Sequence, residues 1–188
     1  TYFDMMQQFI KEDDVLLAEQ GTSFFGAYDL ALPKDMTFIG QPLWGSIGYT
    51  LPATLGTQMA DPNRRNILLI GDGSLQLTVQ ELSTMIRQDI KPIIFVINND
   101  GYTVERLIHG MEETYNDIRM WDYKALPKVF GGDNVVVHDV KTSNDLQNVF
   151  DAINAAPEQL HFTEVIMKWD DAPAKLRDIS KAFAAQNK

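Results

Sequence analysis

The sequence predicts an α/β fold in which a mainly parallel sheet of about six strands is sandwiched between helices. Ile67-Leu68-Leu69-Ile70 and Ile93-Ile94-Phe95-Val96-Ile97 are short, uninterrupted apolar runs, as expected of strands covered on both faces. Between them Val79, Leu82 and Met85/Ile86 recur at helical spacing, which makes the stretch a βαβ unit. Both runs stop at glycine, asparagine and aspartate, in Gly71-Asp72-Gly73-Ser74 and Asn98-Asn99-Asp100-Gly101. In open parallel sheets ligands bind at that edge.

The remaining elements follow in order. Phe3, Met6, Phe9 and Ile10 stand at helical spacing over residues 2–10. Val15–Ala18 reads as the first strand and ends at the polar Glu19-Gln20-Gly21-Thr22-Ser23. A short helix through Phe24–Ala31 and a weak strand at Thr37–Ile39 come next. Gly40–Gly48 (GQPLWGSIG) is a tight loop carrying the large apolar Trp44 and Ile47, and it feeds a helix reaching about Ala60. Thr78 followed by Glu81 has the pattern of a capping box. Tyr102–Gly110 forms a short helix or turn, and Glu112–Phe130 wraps the surface with its aromatic residues packing and its end helical from Tyr123. Val135–Val137 begins a strand. Ser143 caps a helix with Leu146, Val149, Phe150 and Ile153 on one face. Phe162–Met167 is the last strand, and His138 and His161 read as structural. Pro173 opens a terminal helix with Leu176, Ile179 and Phe183 at helical spacing.

A chain of 188 residues with 45% hydrophobic content can bury one substantial core, so one domain is expected. A net charge of −10 argues against nucleic acid or an anionic membrane as partner. With no cysteine, disulfides, thiol catalysis and thiolate metal sites are excluded. Neither a signal-peptide pattern nor an apolar run of spanning length is found, which makes a cytoplasmic location the expectation. The nucleotide motifs GxGxxG and GxxxxGK[ST] are absent as well.

The two central loops share a chemistry. Asp72 and Asn99 are hard oxygen donors just past two strands expected to be near neighbours, and the Gly101 carbonyl is a third. Mg²⁺ takes near-octahedral oxygen ligands, few from protein and the rest from phosphates and water. Gly73 lets a phosphate approach the backbone, and Ser74 adds a hydroxyl and an amide. The implied ligand is a diphosphate held through a metal, although each cluster alone is also ordinary turn chemistry.

GDGS, a βαβ span and NN together resemble the diphosphate and metal signature of thiamine diphosphate enzymes. NNDGYTVERLIHG, with QPLWGSIGYT upstream, is similar to the decarboxylase branch acting on pyruvate, indolepyruvate, phenylpyruvate and branched-chain 2-oxo acids. The likeness runs from AEQGTSFFGA to AAQNK and is close to the bacterial branched-chain and indolepyruvate types. It implies thiamine diphosphate and Mg²⁺ as cofactors, a 2-oxo acid as substrate, and an aldehyde and CO₂ as products. The resemblance places Gly21, Thr22, Gly71, Gly73, Ser74, Asn99 and Tyr102 on the cofactor, and Asp72, Asn99 and Gly101 on the metal. It also has the Gly45 carbonyl meet the aminopyrimidine and Ile47 wedge the cofactor into its bent form. Glu105 matches the active-site glutamate, and Ile108, Ile179 and Phe183 line the substrate pocket.

Enzymes of that family are much longer, so residues 1–188 correspond to the C-terminal diphosphate-binding domain. The implied partners are the protein's own pyrimidine-binding and middle domains and a second subunit, which supplies the glutamate that activates the pyrimidine. The isolated chain is then half a site and expected to be inactive. Other readings stay open: a carboligating thiamine enzyme of the acetohydroxyacid synthase kind, or a non-catalytic binding or oligomerisation domain. By composition alone, Glu105 is a solvated helical carboxylate, and Ile179 and Phe183 are a core-facing stripe.

Overall fold

The apolar runs become strands that bury both faces. A computed structural model describes residues 1–186, and Asn187 and Lys188, the end of the stretch carrying the resemblance, lie outside the described residues. Its strands are β1 (Val15–Ala18), β2 (Thr37–Ile39), β3 (Asn66–Gly71), β4 (Ile93–Asn98), β5 (Val136–Val140) and β6 (His161–Ile166). They form one sheet in the order β2-β1-β3-β4-β6-β5, and every pairing is parallel. The expected strands are thus present, and the sheet is wholly rather than mainly parallel.

Alternation along the strands divides the interior into two cores. On one face Leu16, Ala18, Ile67, Leu69, Ile93 and Phe95 meet helices α1 (Tyr2–Phe9), α2 (Thr22–Ala27) and α8 (Ser143–Ala155). Phe9 stacks on Phe150 there at 4.2 Å between centroids. On the other, Leu17, Leu68, Ile70, Ile94 and Val96 meet α3 (Thr50–Ala60), α4 (Asp72–Thr78), α5 (Glu81–Arg87) and the wholly buried Tyr123. The shorter helices are α6 (Thr103–His109) and α7 (Leu126–Val129), and α9 (Ala174–Gln186) packs across α6 and α2.

The sheet order fixes where a ligand can enter. From β1 the chain crosses to β2 on one side and returns to β3 on the other. The loops leaving β1 and β3 therefore diverge, which opens a crevice at a topological switch point.

Two capping assignments made from sequence differ from the structure. The helical stretch after β3 is two helices, with α4 starting at Asp72 itself, and α5 has Gln80 at its N-cap and no side-chain cap bond. Thr78 instead donates its hydroxyl to the Gly48 carbonyl at 2.8 Å. For α8 the cap is Thr142, not Ser143, in a reciprocal box with Asp145. Trp44 does not pack in its loop; it is 87% exposed.

Candidate active site

Asp72 is the centre of the crevice. It follows β3, is 1% exposed, and accepts hydrogen bonds from the backbone N–H of Gly73 at 2.8 Å and of Gly101 at 3.0 Å. Because β3 and β4 are paired, one carboxylate ties together the loops that leave both strands. Burial pushes its pKa up to about 6 against the pull of those amides, as desolvation does to a buried carboxylate.

Glycine is required at two neighbouring positions. Gly101 has φ +114°, and a Cβ there would run into the Asn116 carbonyl, a combination that excludes other residues. At Gly73 a Cβ would meet the Tyr102 ring at 2.5 Å, so Tyr102 closes directly over the Gly71–Ser74 turn. Burial, with Asp72 adding a smaller part, raises the Tyr102 pKa.

Asn99 is 3% exposed and donates its side-chain N–H to Thr22 Oγ1 at 3.2 Å. That bond commits the amide nitrogen to the β1 loop and leaves the amide oxygen for a ligand. Arg106, buried at 4% exposure, donates to the Asp100 carbonyl and to Asp117 at 2.9 Å, which braces the loop from behind. The structure thus brings together Gly21, Thr22, Gly71, Asp72, Gly73, Ser74, Asn99, Gly101 and Tyr102 around one cavity of about 30 Å³.

The other expected residues stand around this cradle. Gly45 has φ +61° and lies beside Gln20; Ile47 is half-buried on the same loop. Glu105 has a side chain 45% exposed and sits 3.3 Å from His109 one turn along α6. Ile108 and Ile179 are half-buried on the packed helices α6 and α9, and Phe183 is 50% exposed. Gln20, Ser23, Thr103 and Val104 also line the cavity and were given no role from the sequence. Their positions beside Gly21 and Thr22, and between Gly101 and Glu105, were the available signal.

The larger cleft, about 870 Å³, lies between α1, α8 and the β6–α9 connection and includes neither Asp72 nor Asn99. Two of its three basic residues are engaged, Lys141 with Asp139 at 3.0 Å and Arg177 with the carbonyls of Asp170 and Ala172. The carboxylate of Asp72 and the amide of Asn99 lie in the small crevice instead.

The donors gathered at that crevice are of the kind that a diphosphate and a divalent cation take. An uncompensated buried carboxylate, a free amide oxygen and a backbone carbonyl form the all-oxygen set that Mg²⁺ takes. No group of three or more His, Asp or Glu side chains poised for a metal occurs among the described residues, so phosphate and water must complete any shell. Gln20 Oε1 and Ser23 Oγ are buried without a hydrogen-bond partner, and such orphans call for one.

Comparison with known proteins identifies the family. Residues 21–164 match the family described as thiamine pyrophosphate enzyme, C-terminal TPP binding domain, and the chain belongs to that family. It is 49% identical over 186 residues to a pyruvate decarboxylase of Aspergillus terreus, covering 96% of this chain and 32% of the relative. Against an alpha-keto-acid decarboxylase of Mycobacterium tuberculosis it is 47% identical over 173 residues, covering 92% and 31%. The fold also matches a thiamine diphosphate-dependent 4-hydroxybenzoylformate decarboxylase of Rhodococcus jostii RHA1, with TM-score 0.78, 24% identity and coverage of 91% and 32%. The chain spans about a third of the length of these relatives. Among the described residues, no helix is long and apolar enough to cross a membrane.

Proposed function

We propose that the intact protein is a thiamine diphosphate- and Mg²⁺-dependent decarboxylase of 2-oxo acids that releases an aldehyde and CO₂. Residues 1–188 supply its diphosphate and metal half. The observation carrying this reading is the buried Asp72, joined by hydrogen bonds to both strand-end loops. When bound, the cofactor supplies the electron sink that takes up the pair left as CO₂ departs, and the protein supplies orientation and electrostatics.

Each residue then has a task. Asp72, the Asn99 amide oxygen and the Gly101 carbonyl hold the metal, while Gly21, Thr22, Gly71, Gly73, Ser74 and Tyr102 line the diphosphate cradle. Gly45 and Ile47 orient the thiamine end. Glu105 holds or moves a proton near the substrate carbon, and Ile108, Ile179 and Phe183 shape the pocket that takes an indolepyruvate, phenylpyruvate or branched-chain 2-oxo acid. Supporting this division, α6, which carries Glu105 and Ile108, packs against α9, which carries Ile179 and Phe183. The intact enzyme works as an oligomer whose other domains complete the site.

A panel of 2-oxo acids supplied to the full-length protein with thiamine diphosphate and Mg²⁺ tests the reading. CO₂ and free aldehyde are expected. Acyloin as the main product would move the protein to the carboligating class, and binding without turnover of any 2-oxo acid would leave a binding domain.

A further inference from the structure

Glu19 is wholly buried, yet every donor meeting its carboxylate is uncharged. The Gln20 N–H donates at 2.9 Å, the Thr50 N–H at 3.1 Å and the Thr50 hydroxyl at 2.7 Å. Its backbone is tied as well: the N–H donates to the Leu69 carbonyl at 2.8 Å, and the carbonyl accepts from the Phe24 N–H at 2.9 Å. One residue therefore joins β1, β3, α2 and the start of α3. A buried, unpaired carboxylate is costly unless well bonded. Here the positive end of α3 offsets part of that cost, and α3 has no side-chain cap of its own.

This bolt matters because of what precedes α3. In the loop Gly40–Tyr49, Leu43 and Trp44 are 92% and 87% exposed. Gln41 bonds within the loop to the Trp44 N–H and to Ser46. Towards the body of the domain, the Thr78 hydroxyl holds the Gly48 carbonyl, and Glu19 holds Thr50 just beyond it. Gly45 and Ile47 are carried between these tethers and the packed Gly40, where a Cβ would strike Phe24.

We propose that Glu19 is a positioning residue that sets the Gly40–Tyr49 loop, and with it Gly45 and Ile47, against the diphosphate cradle. The inference rests on the function proposed above. Glu19 acts at the thiamine end of the cofactor through Thr50, while the diphosphate end is lined by Gly21 and Thr22 and by the loops after β3 and β4.

The test uses the full-length protein with Glu19→Gln, Thr50→Val and Thr50→Ser. A glutamine turns an N–H₂ towards one of the N–H donors and so breaks the arrangement while keeping its size. Mg²⁺-dependent affinity is measured for thiamine diphosphate and, separately, for inorganic pyrophosphate, which needs only the cradle. Chymotryptic cleavage after Leu43 and Trp44 is timed without ligand. Glu19→Gln should weaken thiamine diphosphate by about tenfold or more, as loss of a charge-assisted hydrogen bond does, leave pyrophosphate within about twofold, and speed cleavage. Thr50→Val should act in the same direction and Thr50→Ser should behave as wild type, so the claim is tested even if Glu19→Gln does not fold. Equal weakening of both ligands, or unchanged cleavage in Glu19→Gln and Thr50→Val, overturns it. Wild-type protein that binds neither ligand would refute the proposed function instead, and the cleavage rates would still judge Glu19.

Discussion

Asp72 carries a conflict at the scale of one residue. Its pKa is raised to about 6 from an ordinary 3.8 by burial, so the fold holds the proton more tightly than the unfolded chain does. Its stabilising contribution is complete below about pH 3.8 and is lost as pH rises through about 6. A cation beside it reverses that preference, because binding requires the ionised form. Mg²⁺ with pyrophosphate should therefore raise the thermal midpoint more at pH 7.5 than at pH 5, measured by scanning calorimetry. Asp72→Ala should remove the effect and weaken metal-dependent thiamine diphosphate binding by roughly a hundredfold or more; unchanged affinity would take Asp72 out of the metal site. Glu105 poses the opposite case, since its side chain is half exposed and stands 3.3 Å from His109 across one turn. In the full-length protein, Glu105→Gln should leave cofactor affinity nearly intact and lower kcat by about 10² to 10⁴, the usual span of acid–base assistance. Near-wild-type turnover with cofactor bound would make it an ordinary surface carboxylate. The Gly71–Ser74 and Asn98–Gly101 clusters were legible in the sequence because each interrupts an apolar run at its end. Glu19 was not, because its partner Thr50 stands 31 residues away and nothing local distinguishes it from a solvated acid.

At the scale of elements, the apolar runs marked β1, β3 and β4 correctly because both sheet faces are covered there, whereas the edge strands β2 and β5 are half-buried. Caps were read less well, because a hydroxyl chooses between local and distant acceptors. Thr78 had the spacing of a capping box and chose Gly48, 30 residues back in the chain. Thr142 and Ser143 both suit an N-cap, and the extended backbone at Thr142, φ −132° and ψ 163°, decides between them. Thr142→Ala should cost about 1 kcal/mol of stability and Ser143→Ala only a few tenths, as chemical denaturation would show; the reverse order would restore the sequence assignment. The edge strand β5 is held by a different device. His138 stacks on His161 with rings 8° apart, their facing nitrogens 3.0 Å apart, and the far nitrogen of His161 donates to the Ala156 carbonyl at 2.8 Å. His161 Nδ1 therefore accepts a hydrogen bond from the Nε2–H of His138. Burial first, and His161 second, lower the His138 pKa from 6.5 to about 4. This contribution is complete above about pH 6.5 and is lost as pH falls towards 4. His138→Gln keeps a donor without the titration, so the stability difference between wild type and variant should change over that window and be flat above pH 7. An identical pH profile for both would remove His138 as the titrating group.

For the whole molecule, the deciding feature is what the chain leaves open. The cradle between the loops is small, about 30 Å³, and is a floor rather than an enclosure. The loop bearing Gly45 and Ile47 presents Leu43 and Trp44 almost fully to solvent, with Tyr49 and Leu77 also exposed nearby. Glu105 and Phe183 are half exposed on the helices that would frame a substrate. Decarboxylation needs the opposite: a dry site in which charges act at full strength and a reactive carbon is shielded from water. The relatives are about three times as long, and residues beyond this chain are the available source of that cover. The isolated 188-residue chain, saturated with thiamine diphosphate and Mg²⁺, should accordingly release no CO₂ from pyruvate or phenylpyruvate above the rate of free cofactor, while the full-length protein turns over. Binding must be followed in the same samples, because a chain that binds cofactor and stays silent shows a half-site, whereas one that binds nothing shows a damaged cradle. Appreciable turnover by the pure fragment would mean that these residues suffice, and the argument from exposure would fail with it.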